Sequence, residues 1–239
     1  NILSEGTTEM YRAQEGYPIG YFYGYKTLGV FQNEKQIAEY SGAKLSGAAP
    51  GDLIFADMNG DGVIDDKDKC MIGNPHPDVT MGLTFNFGYK GFDLGITTNA
   101  VFGNQIAKSY RSFADQPKEN YTTDILGRWH GEGTSNRLPR LASGTNTNWL
   151  YISDIFIEDG DYFRIQNITL GYDFKRLFPR IPLGQARLYV TAQNLATFTK
   201  YSGMDPEIGY GADKSWVSGI DVGFYPSPRT YMVGVNLKF

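Results

Sequence analysis

Hydrophobic and polar residues alternate with period two in segments of about ten residues, a pattern typical of strands rather than helices. In the clearest segment, 80–89, large apolar side chains occupy every odd position, and Thr, Gly or Asn occupies every even one. The alternation resumes over 92–102, after the dipeptide Lys90-Gly91. A two-residue connection with Gly is typical of a tight hairpin turn. The two segments are therefore predicted to form a β-hairpin.

Four further segments bring the predicted number of strands to about six. In one of them the alternation changes phase, and a β-bulge near Gln166-Asn167 would account for the change. The connections alternate between short turns and long segments, which is typical of outer-membrane barrels, whose periplasmic turns are short and extracellular loops long. The further predicted strands are 17–25, 162–173, 186–196 and 229–239, and the long segments are 32–79, 103–161 and 197–228.

The two faces of these strands differ in a way that favours a membrane barrel. One face is rich in Gly, Thr and Asn, as expected of a hydrated lumen, and the other carries Tyr and Phe near the strand ends, as in an aromatic girdle. About six strands cannot close such a barrel, and an unpaired edge is not tolerated in lipid. The predicted fold is therefore all-β: an antiparallel transmembrane β-barrel segment that is completed by further strands, from the same protein or from other chains.

Composition excludes several classes of protein. The formal net charge is −4 and no cluster of Lys and Arg occurs, which argues against binding of nucleic acid. No apolar run approaches the ~18 residues of a membrane-spanning helix. The single cysteine, Cys70, excludes an internal disulfide framework.

The sharpest chemical motif is an acidic loop, residues 57–68, that matches the twelve-residue Ca²⁺ loop. Oxygen-bearing side chains occupy positions 1, 3, 5, 9 and 12, Gly62 is at position 6, and position 12 is Asp where such loops commonly have Glu. We expect a structural Ca²⁺ that rigidifies a long loop; the alternative is a turn without metal, built on Asn-Gly and Asp-Gly. The predicted ligands are the side chains of Asp57, Asn59, Asp61, Asp65 and Asp68 and the backbone carbonyl of Val63.

Several longer motifs occur in the order in which the SusC/RagA family of TonB-dependent outer-membrane transporters carries them. The similarity extends over 16–239, and we identify the chain as resembling the C-terminal part of the barrel in that family. The motifs are G-Y-F-Y-G-Y at 20–25, G-V-F at 29–31, P-G-D at 50–52 followed by D-M-N-G-D-G-V-I at 57–64, Y-F-R-I-Q-N-I-T-L-G-Y at 162–172 and Y-S-G-M-D-P-E at 201–207.

The resemblance implies a location and partners. Family members form barrels of about 22 strands in the outer membrane. They import glycans or peptides, driven by TonB, with a SusD-like surface lipoprotein as a lid. The implied partners are therefore this lipoprotein, the remainder of the barrel and its plug, TonB through the N-terminal part, and outer-membrane lipid. The plug is expected to be absent from this chain, and the long segments 32–79, 103–161 and 197–228 to be extracellular loops.

Exposed aromatic side chains in the long segments could contact substrate or the lid; alternatively, they pack the loops against themselves. No catalytic motif is present, and the carboxylates of Glu158 and Asp161 fit a loop turn better than a glycosidase pair, so we expect no enzyme. The principal alternative function is a soluble Ca²⁺-dependent carbohydrate-binding β-sandwich. The candidate contact residues are Trp129, Tyr201, Tyr210, Trp216 and Tyr225.

Overall fold

The computed structural model describes residues 2–5, 10–109, 123–141, 147–208 and 218–239. Two compact units divide the chain: a sheet unit (77–104, 159–207 and 224–239) and a loop unit (1–76, 105–158 and 208–223). Two short helices, α1 (Glu34–Glu39) and α2 (Thr147–Leu150), both lie in the loop unit. No helix among the described residues is both long and apolar enough to span a bilayer. The strands are β1 (Ile2–Glu5), β2 (Tyr11–Gln14), β3 (Tyr21–Tyr25), β4 (Thr27–Val30), β5 (Leu53–Phe55), β6 (Lys69–Gly73), β7 (Val79–Tyr89), β8 (Phe92–Phe102), β9 (Gln105–Lys108), β10 (Ile157–Asp159), β11 (Tyr162–Asp173), β12 (Gln185–Thr199), β13 (Ile220–Asp221) and β14 (Thr230–Lys238).

The sheet unit is one antiparallel sheet of five long strands in the order β14-β12-β11-β8-β7. Strands β7 and β8 pair without a break from Val79 opposite Phe102 to Tyr89 opposite Phe92. Between them, Lys90 and Gly91 have φ angles of 46° and 92°. Two consecutive positive φ angles define the type I′ turn that matches the twist of a hairpin. The predicted hairpin is thus confirmed.

The predicted bulge in β11 is also confirmed. The register of β11 shifts between Ile165 and Asn167 against both of its neighbours, β8 and β12. One extra residue reverses which side chains point to each face, because strand side chains alternate strictly. The bulge therefore keeps Phe163 before it and Leu170 after it on the same apolar face.

The apolar side chains of the sheet unit lie on its surface. Every residue of β7 is exposed, and Phe87 and, in β14, Val233 are exposed by 67% and 73%. In a water-soluble sheet protein such a face packs against a second layer. None of the described residues of the sheet unit forms a second sheet over it. An exposed apolar face of this kind marks a surface that contacts a partner or a membrane.

The loop unit contains three smaller sheets. Strands β1, β2, β3 and β6 form one, β4 and β5 form a second, and β10, β9 and β13 form a third, in which β13 runs parallel to β9. Two buried clusters of hydrophobic side chains make up the core of this unit. The first comprises Tyr25, Val30, Leu53, Phe55, Ile125, Trp149, Ile155 and Phe156, and the second Met10, Tyr11, Phe22, Ala107, Ile157 and Ile220.

One predicted barrel strand is wrong. The segment 17–25 does contain a strand, but β3 belongs to the four-stranded sheet of the loop unit and not to the five-stranded sheet. Tyr21 and Phe22, which are neighbours in sequence and point to opposite faces, are both buried, at 1% and 0% exposure. A strand buried on both faces is a core strand, and the alternation of Tyr residues alone does not distinguish it from a barrel strand.

Candidate functional site

The polar face of the sheet unit carries charged side chains that cross from strand to strand. The side chain of Arg187 in β12 reaches over β11 to Asp93 in β8, with Nε–Oδ1 and Nη2–Oδ2 distances of 2.8 and 2.5 Å. Gly171, opposite Asp93 in the register, makes this crossing possible. A Cβ atom at Gly171 would lie 2.5 Å from both Arg187 Nε and Asp93 Oδ1. Gly171 is therefore required by a close approach.

A second glycine supports an aromatic side chain beside this ion pair. Tyr189 in β12 lies opposite Gly234 in β14, and its ring occupies the place where a Cβ atom would stand. The guanidinium carbon of Arg187 is 4.8 Å from the centre of the Tyr189 ring, within the range of a cation–π contact. At this end of the strands, the polar face thus carries an ion pair packed against an aromatic ring.

At the other end of the same face, Arg164 in β11 fixes the segment that follows β12. Its Nη1 atom donates to Glu207 Oε2 at 2.5 Å, its Nη2 atom donates to Asp205 Oδ1, and its Nε atom donates to Thr197 Oγ1 at 2.9 Å. Arg164 is 3% exposed. A cavity of about 310 Å³ opens beside this cluster, and Ser227 and Arg229 contribute to its lining.

The acidic loop is held together by its own backbone amides. Asp57 accepts hydrogen bonds from the N–H groups of Gly60 and Gly62, at 2.6 and 2.8 Å. These bonds favour the ionised carboxylate, and they hold the pKa of Asp57 below its usual range. Asn59 Oδ1 accepts from the N–H of Asp61, and Asp61 Oδ1 accepts from the N–H of Val63.

The last third of the loop forms a capped helical turn. Asp65 accepts from the N–H of Lys67 at 2.8 Å, and Asp68 accepts from the N–H of Asp65 at 2.8 Å, so the two carboxylates form a capping box. Asp68 is fully buried and also accepts from the N–H of Met58. The ammonium group of Lys67 lies 4.0 Å from Asp61 and 3.8 Å from Asp65.

The predicted Ca²⁺ ligands therefore share one loop, but their carboxylates point to backbone amides in this conformation. Among the described residues, no three His, Cys, Asp or Glu side chains converge as ligands of one metal ion do. The donor set, carboxylates with an amide and a backbone carbonyl, is the set that Ca²⁺ prefers. The chemistry of the donors thus fits the ion, and its binding stays a prediction.

A neighbouring aspartate, to which the sequence assigned no role, connects the loop to the hydrophobic core. Asp66 Oδ1 accepts from the hydroxyl of Tyr25 at 3.2 Å and lies 2.9 Å from Lys69 Nζ. The hydrogen bond and charge of Lys69 lower the pKa of Asp66. Burial, reinforced by the charge of Asp66, raises the pKa of Tyr25 well above its usual value. This contact is long-range in sequence, so no local signal reveals it.

The candidate aromatic contacts occupy different environments. Trp129 is half-buried against the first hydrophobic cluster of the loop unit, and its indole N–H donates to Gln32 Oε1 at 3.2 Å. Tyr201 is 5% exposed, whereas Tyr225 is 88% exposed. Tyr210 and Trp216 lie outside the described residues. Of the three aromatic side chains that are described, Tyr225 is the one open to a partner.

The ionic contacts of the polar face are the site residues that sequence analysis missed. The signal is present for Arg164 and Arg187, because each is a charged residue inside an alternating strand. The sequence does not indicate the partners of these two arginines. Arg187 and Asp93 lie on strands that are separated by β11, and Arg164 pairs with a segment that has no regular pattern. The register of the sheet brings Arg187 to Asp93, and the path of the segment after β12 brings Asp205 and Glu207 to Arg164.

Comparison with known proteins agrees with this architecture. No family model matches the chain. TonB-dependent receptor P3 of Formosa agariphila is 37% identical over an alignment of 232 residues, which covers 95% of this chain and 23% of that receptor. TonB-dependent receptor SusC of Bacteroides thetaiotaomicron is 32% identical over an alignment of 240 residues, which covers 99% of this chain and 21% of SusC. The chain thus spans less than a quarter of the length of these two curated relatives.

Solved structures show the same fold. The RagAB peptide transporter matches 99% of this chain and 24% of its own, with a TM-score of 0.71 at 21% identity. The RagAB peptide importer in its open-open state matches with a TM-score of 0.69 at 20% identity. These matches confirm the predicted all-β barrel section, which the described strands do not close.

The relatives also decide between the functional classes considered. They are receptors and not enzymes, which confirms that the chain is not an enzyme. A soluble β-sandwich is wrong, because these relatives are barrels of the outer membrane and the apolar face of the sheet unit is exposed. The chain belongs to the SusC/RagA-type TonB-dependent receptors and is a section of their outer-membrane β-barrel.

Proposed function

We propose that this chain is a wall section of an outer-membrane importer of glycans or peptides that is driven by TonB and works with a SusD-like surface lipoprotein. The observation that carries the proposal is the division of the five-stranded sheet into an exposed apolar face and a polar face crossed by ion pairs. The apolar face suits acyl chains, and the polar face suits the water-filled interior of a barrel. The SusC and RagAB matches support this assignment.

The edges of the sheet support the need for more polypeptide. Among the described residues, β7 and β14 each pair with one neighbour only. An unpaired row of N–H and C=O groups in lipid costs several kcal/mol per group, on the order of the transfer of a bare amide. The remaining strands of the receptor therefore pair with β7 and β14 and close the barrel.

The connections set the orientation. The type I′ turn at 90–91 and the connection between β11 and β12 are short, and both lie at the same ends of the strands. Short turns face the periplasm in such barrels, and long connections face the outside. Most of the loop unit comes from the long connections, and we therefore assign it to the extracellular side, where a surface lipoprotein would dock.

Uptake in whole cells tests the transport function. Cells that carry the full-length receptor are supplied with labelled glycans or labelled peptides, in strains with and without TonB and the adjacent lipoprotein. We expect one of the two substrate classes to be taken up, and uptake to be lost without TonB. Equal uptake in the strain that lacks the receptor would contradict the proposal.

Membrane orientation is tested by two arginine substitutions in β14. Val233→Arg places a charge on the apolar face and is expected to destabilise the barrel by about 2–4 kcal/mol, while Met232→Arg, on the polar face opposite Thr191, is the matched control. The measurement is the amount of heat-modifiable receptor in outer membranes. Equal loss in both variants would refute the assignment of the faces.

We also propose that the acidic loop binds Ca²⁺ as a structural ion. Support comes from the spacing of the oxygen donors along the loop and from its tight turns. Gly60 and Gly62 form these turns with φ angles of 75° and 83°. The ammonium group of Lys67 offsets part of the charge that a cation would neutralise. Calorimetric titration of the full-length receptor with Ca²⁺ tests this, and an unchanged heat of binding in Asp57→Asn would refute it.

A further inference from the structure

The connection between β11 and β12, residues 174–184, is a surface feature that the transport function leaves unexplained; we call it the basic turn. Its sequence, F-K-R-L-F-P-R-I-P-L-G, contains three cationic residues and no acidic one. It opens with a short 3₁₀ helix, Phe174–Arg176, and the N–H groups of Leu177 and Phe178 both donate to the carbonyl of Phe174, at 3.0 and 2.9 Å. The turn is therefore ordered.

Two side chains hold the basic turn in shape. Asp173 Oδ1 accepts from the N–H groups of Lys175 and Ala186, at 3.0 and 3.2 Å. The ammonium group of Lys175 donates to the carbonyls of Ile181, at 3.1 Å, and Leu183. The one nearby acid and one of the three cations are thus committed to the turn itself.

Residues 176–180 of the basic turn are all exposed. Leu177 and Phe178 are exposed by 58% and 57%, and with Pro179 and Ile181 they line a shallow concavity of about 560 Å³. Arg176 and Arg180 are exposed, and neither forms an ion pair with a described residue. Adjacent apolar and cationic groups without partners in the same protein mark a surface that contacts another molecule.

The basic turn continues the apolar face of the sheet unit. Tyr172, on that face, lies 4.4 Å from Phe92 and 5.3 Å from Phe174, measured between ring centres. The aliphatic part of the Arg176 side chain packs over Gly91. Its Cδ atom lies 3.1 Å from the position that a Cβ atom would occupy if residue 91 had a side chain. Its charged group is therefore close to the other short turn, which carries Lys90.

This order, a band of aliphatic side chains, then aromatic rings, then cations, matches the order of hydrocarbon, interface and phosphate in a lipid leaflet. A protein partner would not require that order to run along the strand direction. An anionic phospholipid supplies both parts at once: acyl chains for the apolar side chains and a negative headgroup for the cations.

We infer that the basic turn, together with Lys90, is a binding site for anionic phospholipids of the periplasmic leaflet. Leu177 and Phe178 insert at the level of the acyl chains, and Arg176, Arg180 and Lys90 contact headgroup phosphates. The inference rests on the proposed function for the orientation of the barrel. It assigns to this turn a role as a lipid-selective anchor, separate from transport through the lumen.

A depth measurement tests the insertion. Single cysteines labelled with nitroxide are placed at Phe178, Val190 and Leu126 of the full-length receptor, with Cys70 replaced by Ser, and the receptor is reconstituted in phospholipid nanodiscs. Relaxation by oxygen and by a water-soluble nickel chelate reports the depth of each label. We expect label 178 to be at the depth of the upper acyl chain, label 190 deeper, and label 126 in water.

The controls separate the two proposals. Label 178 in water with label 190 in lipid would overturn the lipid site and leave the barrel assignment standing. Both labels in water would overturn the proposed function itself. Leu126 in the loop unit is 71% exposed and so is the reference for water.

A selectivity measurement tests the charges. Spin-labelled phosphatidylglycerol and phosphatidylcholine compete for the surface of the full-length receptor, and their ratio at the protein is measured. Each cation near an anionic surface is worth a factor of about five, so we expect the double variant Arg176→Gln, Arg180→Gln to lose most of the preference for phosphatidylglycerol. The matched control, Lys35→Gln with Lys200→Gln, removes the same charge elsewhere. Equal preference in the wild type and the arginine variant would overturn the proposal.

Discussion

Replacing Arg164 by methionine tests whether the ion cluster of the polar face holds the segment after β12 in place. The methionine side chain keeps much of the packing volume and removes the guanidinium group. The side chain of Asp205 is 11% exposed and would be left without its cation, whereas that of Glu207 is 56% exposed and can turn to solvent. The effect therefore depends mainly on Asp205.

The magnitude follows from this difference in exposure. Breaking a buried ion pair by removing one partner costs about 3–5 kcal/mol, and an exposed pair contributes roughly 0–1 kcal/mol. Asp205 keeps hydrogen bonds from the N–H groups of Glu207 and Ser227, at 3.0 and 3.1 Å, which soften the loss. We therefore expect the segment 200–208 to open more easily by about 3 kcal/mol, at the lower end of that range.

Hydrogen exchange of the full-length receptor in nanodiscs measures this opening. A change of about 3 kcal/mol corresponds to an increase of about 100-fold in the exchange of amides in 200–208. Arg229→Met is the matched control, since Arg229 lines the same cavity and is exposed. The double variant Arg164→Met, Asp205→Asn should recover part of the protection, because it removes the buried charge that lacks a cation and keeps one side-chain oxygen as an acceptor for the N–H groups of Glu207 and Ser227. Unchanged exchange in Arg164→Met would show that the cluster does not anchor this segment.

Three further predictions concern other contacts of the chain. Gly171→Ala should destabilise the barrel by about 1–3 kcal/mol, because the new Cβ atom displaces the Arg187–Asp93 pair. Heat-modifiable mobility of the receptor measures this loss. The control, Gly82→Ala, should have little effect, because a Cβ atom at Gly82 meets no atom within 4 Å. The folded loop lowers the pKa of Asp57, so the ionised Asp57 carboxylate stabilises the loop above pH 4, and this stabilisation is lost as the pH falls through the depressed pKa. Amide exchange of 57–68 between pH 3 and 6 should show this loss in the wild type and not in Asp57→Asn. Folding of the loop unit raises the pKa of Tyr25, so the stability of the loop unit should fall as the pH rises above 10. In chemical denaturation, Tyr25→Phe should remove this alkaline dependence, and an identical alkaline profile in the variant would contradict the assignment.

Local pattern was sufficient wherever a strand has one apolar and one polar face. The hairpin of β7 and β8, the type I′ turn at Lys90-Gly91 and the bulge near Asn167 follow from alternation, turn chemistry and a change of phase, which are properties of neighbouring residues. The same pattern indicated a membrane face, because Gly, Thr and Asn opposite large apolar side chains suit a lumen better than a packed core. Motif order added the family, and the comparisons confirmed it.

Tertiary structure alone decided what the long connections become and which charges meet. Most of the first two segments predicted as loops, 32–79 and 103–161, folds into one compact unit with two hydrophobic clusters, whereas 197–207 and 224–228 of the third belong to the sheet unit. The strand β3 joins the loop unit, because burial of an alternating segment depends on what packs against its second face. The ion pair of Arg187 depends on sheet register and on the absence of a side chain at Gly171, and the ion pairs of Arg164 depend on the path of the segment after β12. These are contacts between residues distant in sequence, and the free energy that selects them comes from the assembled sheet and not from any single segment.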